Sequence, residues 1–242
     1  MNLTIDIGNT RVKTAVFRGH EMLFNDSYPL QNFKKGIVKI VDNYAIKYAI
    51  ISSVGNSNDA DFEFLSDLVE IHFLTYNTKV QFINKYKTPS SLGVDRIALV
   101  SASVDQFPNT NVLVFDVGSC ITYDFVNDRK EYFGGAISPG IEMRYNALNT
   151  FTANLPKLST VNEIPSLGDT TDNAIHLGVL QGVICEIEGV IELFKAKNQK
   201  LTIVLTGGDT IFLAKNIKST IFANPNFLLE GLNSILTYNI EV

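Results

Sequence analysis

The sequence predicts an α/β protein built from two domains of related topology, and three observations carry that reading. An apolar run ends in an acidic, glycine-containing turn twice, as Leu3-Thr4-Ile5-Asp6-Ile7-Gly8-Asn9-Thr10-Arg11 and as Val112-Leu113-Val114-Phe115-Asp116-Val117-Gly118-Ser119-Cys120. Each turn leads into a second apolar stretch, residues 12–17 and 121–126. Strands then alternate with helical patterns in both halves, the pattern of a layered α/β fold. No linker or low-complexity segment interrupts the chain, so the boundary falls around Pro108, giving domains 1–108 and 109–242.

The elements follow in order. Residues 2–8, 12–17 and about 22–28 read as an antiparallel meander. Phe33, Ile37, Ile40 and Val41 recur at helical spacing within residues 32–43. Residues 48–54 form a buried strand ending in small residues, as where a strand's C-terminal edge meets a cleft. A helix over 59–70, a short strand over 71–74 and a helix starting at Ser91 complete the first half. In the second half, residues 112–115, 121–126 and 131–137 are strands, and Ser138-Pro139-Gly140 turns into a helix over 141–150. Residues 174–194 form a long apolar helix in which Gly178, Gly182 and Gly189 allow close packing and Cys185 is a buried small hydrophobe. A strand over 201–205 ends in Thr206-Gly207-Gly208-Asp209.

The two turns carry the chemistry. Gly8 and Gly118 allow a positive φ and leave N–H groups open to an anion. Asn9, Thr10 and Ser119 are small donors for phosphate oxygens, and Lys13 is a point charge for a terminal phosphate. Asp6 and Asp116 offer oxygen ligands to a hard cation. Ordinary hairpins with Asp-x-Gly turns would look alike singly. Two copies plus Lys13 favour halves that face each other across a nucleotide cleft.

Composition bounds the rest. At 242 residues, 45% hydrophobic and 19% charged, the chain is globular and large enough for a sizeable core. A net charge of -5 without any run of Lys or Arg argues against nucleic acid as partner. Two cysteines fit a reducing cytoplasm rather than a disulfide framework. His20, His72 and His176 lack metal-ligand spacing. No signal-like N-terminus and no apolar stretch long enough for a bilayer is read, so the expectation is a cytoplasmic enzyme without a membrane.

The ordered motifs resemble the actin and sugar kinase superfamily, and more closely type III pantothenate kinase. The resemblance is carried by the Asp6–Lys13 turn, Gly93-Val94-Asp95-Arg96, the Asp116–Ser119 turn, Gly134-Gly135-Ala136-Ile137-Ser138-Pro139-Gly140, Thr152-Ala153-Asn154-Leu155-Pro156 and Thr206–Asp209. It implies two ribonuclease H-like (actin-like ATPase) domains and ATP-dependent phosphorylation of pantothenate, the first step of coenzyme A biosynthesis. By that resemblance Asp6, Ile7, Gly8, Asn9, Thr10, Arg11, Val12 and Lys13 form the first ATP-phosphate loop, with Asp6 meeting Mg²⁺ through ATP. Ser119 stands where an ATP-contacting Thr is usual. Asp116 matches a ligand of a monovalent cation, potassium or ammonium. Asp95 matches the catalytic carboxylate, and Gly93, Val94, Asp95 and Arg96 with Tyr86 line the pantothenate site. Thr171, with Thr170 beside it as alternative, fits a substrate contact made across a homodimer interface. Two departures stand out: Gly118-Ser119-Cys120 replaces the commoner Gly-Thr-Ala, and Asp169 and Thr170 replace basic or amide residues.

Phosphoryl transfer needs positioning and charge neutralisation. Asp95 would accept the proton of the attacking hydroxyl. Arg96 would pair with the substrate carboxylate in a bidentate fork. The glycines of Thr206–Asp209 leave room for an adenosine. Two other functions compete: a kinase for another small hydroxyl or carboxylate substrate, and a non-catalytic regulatory or interaction relative. The joint presence of Asp6, Lys13, Asp95 and Asp116 weighs against the second.

Overall fold

The computed structural model describes residues 1–8, 11–53 and 62–240. Asn9, Thr10, Val54 and the start of the helix expected from residue 59 therefore lie outside the described residues. Contacts divide the chain into two compact units. The first comprises Met1–Asn109, Arg129–Phe133 and Asn226–Val242, and the second Thr110–Asp128 and Gly134–Pro225.

In the first unit, β1 (Asn2–Ile7), β2 (Arg11–Arg18) and β3 (Glu21–Pro29) form the expected meander. Helix α1 (Phe33–Asn43) carries the chain to β4 (Tyr48–Ser53), which pairs parallel with β1. Helix α2 (Glu63–Ser66) then leads to β5 (Glu70–Phe73), giving the order β3-β2-β1-β4-β5. Strand alternation sorts the faces. Leu3, Ile5, Ile7, Val12, Val16, Ala49 and Ile51 join Ile37 and Ile40 of α1 in one core. The alternate positions Asn2, Thr4, Asp6, Thr14 and Ser52 are buried and polar.

Helices α3 (Val94–Gln106) and α8 (Phe227–Ile240) belong to the same unit, and α8 contacts β1 and β4. Asn2 Nδ2 donates to Asn233 Oδ1 at 2.9 Å, tying β1 to α8. A Cβ on Gly231 would lie 2.0 Å from Ala98 O, so the two helices approach backbone to backbone. Strand β6 (Ile83–Asn84) pairs with Glu131 and Tyr132, which are counted in this unit.

In the second unit, β7 (Asn111–Val117), β8 (Cys120–Val126) and β9 (Glu131–Pro139) precede α4 (Ile141–Thr150). Helix α5 (Thr171–His176) continues through a π-turn, Leu177–Gln181, into α6 (Gly182–Lys195). Strand β10 (Leu201–Thr206), helix α7 (Thr210–Asn216) and strand β11 (Phe222–Ala223) follow. The order here is β9-β8-β7-β10-β11, the same as in the first unit position for position.

Several expectations change. The helix expected over 59–70 is described as helix only at Glu63–Ser66, because Val69 enters the core and Glu70 N–H bonds to Lys47 O to open β5. The helix expected at 174 starts at Thr171, where Thr170 Oγ1 accepts from Asn173 N–H at 3.1 Å. Cys185 is exposed, not buried. Apart from their chain neighbours and their own helix backbone, no described atom lies within 4 Å of a Cβ built on Gly178, Gly182 or Gly189, so the close packing expected there is not made among the described residues. Strands β6 and β11 and helix α8 were not expected at all. The helical run Thr171–Lys195 is long and apolar enough to cross a bilayer by length and composition alone, which corrects the sequence reading. Its Ile175, Val179, Leu180, Val183, Ile187 and Ile191 lie in the core of the second unit.

Candidate functional site

The first turn closes with Gly8 N–H donating to Arg11 O at 3.0 Å. Asp6 stands opposite Lys13 on β2 and beside Ser52 on β4. Asp6 is only 7% exposed, and Lys13 is half-buried. Ile7 and Val12 belong to the core, so they can offer a ligand only their backbone. Arg11 turns its guanidinium to β3, donating to Ser27 Oγ at 2.8 Å and Ser27 O at 2.7 Å. Ser52 Oγ is buried with no hydrogen-bond partner among the described residues.

A second group in the same unit gathers around the start of α3. Gly93 is the N-cap, and Asp95 lies in the first turn, where a carboxylate suits the helix dipole. Asp95 Oδ1 accepts from Arg96 N–H at 2.8 Å. A Cβ on Gly93 would sit 2.4 Å from that same oxygen, so glycine is what leaves the carboxylate its place. Arg96 is 5% exposed, which removes the alternative of a solvated surface ion pair. Its Cζ lies 5.6 Å from the centre of the Tyr86 ring, and Tyr86 stacks on Tyr132. Tyr86, Asp95 and Arg96, grouped in one site by the resemblance, lie in one local constellation with Tyr132, which the sequence reading missed.

The second turn, in the other unit, closes with Gly118 N–H donating to Cys120 O at 3.0 Å. Asp116 stands opposite Thr122 on β8 and beside Thr206 on β10. Neither Gly8 nor Gly118 has a positive φ, contrary to expectation; Gly207 does, at 100°. A Cβ on Gly207 would lie 2.4 Å from Asp116 Oδ1 and 2.5 Å from Val117 O. Gly140 is equally constrained, 2.1 Å from Gly118 O. These two glycines therefore answer the protein's own backbone. Gly208, in contrast, faces open space, as room for an adenosine would require.

Asp209 N–H donates to Val117 O at 3.0 Å, fastening the start of α7 to this turn. Burial, with the charge of Glu142 adding, raises the Asp209 carboxyl above its ordinary value. Ser119 is exposed at the tip. Thr170 spends its hydroxyl lone pair on the cap of α5, whereas Thr171 is the exposed first helical residue. A further network fixes α4: Ser138 Oγ donates to Glu186 Oε1 at 2.5 Å, and Arg144 pairs with the other oxygen of Glu186.

The oxygen donors Asp6 and Asp116 suit a hard cation. Among the described residues no three His, Cys, Asp or Glu side chains form a ligand set. A cation held by either carboxylate would therefore complete its shell with phosphate or water oxygens, as Mg²⁺ on a nucleotide does.

Known proteins share this pattern. The profile of the family described as type III pantothenate kinase matches residues 2–193. A type III pantothenate kinase of Flavobacterium psychrophilum is 45% identical over 239 residues, covering 98% of this chain and 99% of that protein. One from Bacteroides fragilis is 41% identical over 240 residues, covering 99% and 98%. Among solved structures, a Baf family protein of Campylobacter jejuni, described as a transcriptional activator, superposes with a TM-score of 0.64 at 20% identity, covering 99% of this chain and 100% of that one. A glucokinase from an Antarctic psychrotroph gives 0.51 at 13% identity, covering 98% of each. At such identities these two show the fold alone, that of the sugar kinases and actin-like ATPases.

Proposed function

The chain belongs to the type III pantothenate kinase family, and from that premise we propose how its residues divide the work. It phosphorylates pantothenate with ATP, the first step of coenzyme A biosynthesis. The observation that carries the residue assignment is the local constellation at the start of α3, where Asp95, the buried Arg96 and Tyr86 come together.

Asp95 is the general base that takes the proton of the attacking hydroxyl. Its position in the first turn, held by Arg96 N–H and given room by Gly93, keeps the carboxylate oriented. Arg96 receives the pantothenate carboxylate, Tyr86 and the backbone of Gly93 and Val94 line that subsite, and Thr171 rather than the capping Thr170 adds a hydroxyl from a second subunit. Lys13 and the N–H groups of the first turn take the nucleotide's phosphates, with Ser119 contacting ATP from the second turn. Divalent cation bound with ATP neutralises charge on the transferred group. Asp116 holds a monovalent cation, potassium or ammonium.

A homodimer is supported by the helical face of Gly178, Gly182, Cys185 and Gly189, small residues of which all but the half-buried Gly182 are exposed. Two free cysteines fit action in the cytoplasm.

The test is ADP release with ATP, Mg²⁺ and pantothenate, with and without potassium. Asp95→Asn is expected to lower kcat by about 10²–10⁴-fold, and Asp116→Asn to abolish the potassium dependence. An Asp95→Asn protein that turns over normally would overturn the assignment of the base.

A further inference from the structure

We propose that Tyr132 is a positioning residue for substrate choice: it braces the Tyr86 ring over which Arg96 lies, and so holds the guanidinium that selects a carboxylate. The proposal rests on the assignment of Arg96 to the pantothenate carboxylate.

Tyr132 is fully buried, among the largest side chains that are. Its ring is nearly parallel to Tyr86, with 6.2 Å between centroids and 12° between planes. Phe82 packs edge-on against it at 5.8 Å and 79°. The Arg96 guanidinium lies over Tyr86 at 5.6 Å, within the range of a cation–π contact. The backbone is pinned as well: Lys85 N–H donates to Tyr132 O and Ile83 N–H to Lys130 O, each at 2.8 Å. Residues Arg129–Phe133 are counted with the first unit although β8 and the rest of β9 are not, so this short excursion is what brings Tyr132 to Tyr86.

A guanidinium presents its donors in a rigid fork, so its value for a carboxylate depends on being held in one plane. A Tyr86 ring with no brace rocks, and Arg96 then loses orientation that the ligand must restore on binding. The carboxylate end of pantothenate is remote from the hydroxyl that reacts, so the loss falls on KM for pantothenate rather than on kcat.

The experiment compares pantothenate with pantothenyl alcohol, in which the carboxylate is replaced by a hydroxymethyl group, in the full chain and in Tyr132→Leu, Tyr132→Phe and Arg96→Gln. Tyr132→Leu is expected to raise KM for pantothenate roughly tenfold, by weakening a cation–π-supported contact. It should leave kcat and KM for ATP unchanged and shrink the preference for pantothenate over the alcohol by the same factor. Tyr132→Phe, which keeps the ring, should retain the preference. A folded Tyr132→Leu that keeps the full preference, or that loses both substrates equally, overturns the proposal. Arg96→Gln separates the two levels: if it keeps the preference, the assignment of Arg96 itself fails and the role of Tyr132 goes with it. Should Tyr132→Leu not fold, Tyr132→Met fills a similar volume and Tyr86→Leu removes the braced ring, and either must reproduce the loss.

Discussion

The two acidic turns sit on sheets of the same strand order, yet they differ in what faces the carboxylate. Asp6 stands between Lys13 and Ser52, and Asp116 between Thr122 and Thr206. The first turn is one residue longer, since Ile7 pairs with Val12 but Val117 pairs with Ile121. One turn therefore supplies its own cationic side chain. The other has hydroxyl side chains at both flanking positions. A duplicated scaffold sets where the carboxylates go, and the residues across from them differ between the two copies.

The sharpest way to break this comparison is to exchange the partners' loss. Lys13→Met should lower kcat by about 10²–10³-fold, the usual cost of removing a charged group aimed at a developing charge. Thr122→Val, at the matching position, should cost less than about threefold, because a single neutral hydroxyl contact is worth little. Steady-state kinetics with saturating pantothenate reads both. Equal losses would mean the turns share one role.

Stability gives the next contrast. Gly207→Ala combines left-handed strain with overlap on Asp116 and Val117, so it should cost on the order of 3 kcal/mol in urea unfolding. Gly118→Ala, whose new Cβ would meet Cys120 O at an ordinary 3.9 Å, should stay within about 1 kcal/mol. A neutral Gly207→Ala would show that β10 and the second turn are not locked together.

The smallest effect is electrostatic. Burial first, and Glu142 second, raise Asp209 in the folded protein. A carboxyl raised on folding binds its proton more tightly in the native state, so its ionisation costs stability as pH climbs from the unfolded value through the folded one. Asp209→Asn should therefore melt slightly higher than the parent near about pH 7, and the gain should vanish below about pH 4, where the carboxyl is protonated in both states. A variant that melts lower at neutral pH would show that ionised Asp209 is held by a favourable partner.

Much of this was legible residue by residue. The meander, both turns, α1, α3 and α4 follow from local periodicity and turn chemistry, which act within a few residues of each other. Tyr86, Asp95 and Arg96 could be named from motif order. The resemblance also groups them, but the stacking of Arg96 on Tyr86 was not legible, because Tyr86 follows β6, which is two residues long and pairs with a segment far along the chain. Tyr132 carried no signal at all: one tyrosine in a strand reads as core. Helix α8, apolar on nearly every face, has no clear amphipathic period, and its place against α3 rests on Gly231 meeting Ala98.

By itself, then, the sequence determined the repeated strand-turn-strand units, the acidic turns and the identity of the chemical groups, since these depend on alternation, spacing and side-chain type. Only tertiary structure decided which glycines are indispensable. Gly207 and Gly140 are, and Gly8 and Gly118 need no left-handed backbone, because the constraint comes from distant backbone pressed against the turn. It also decided that Arg96 is buried under an aromatic stack rather than solvated. Burial is a property of what packs from elsewhere in the chain, and no local window contains it.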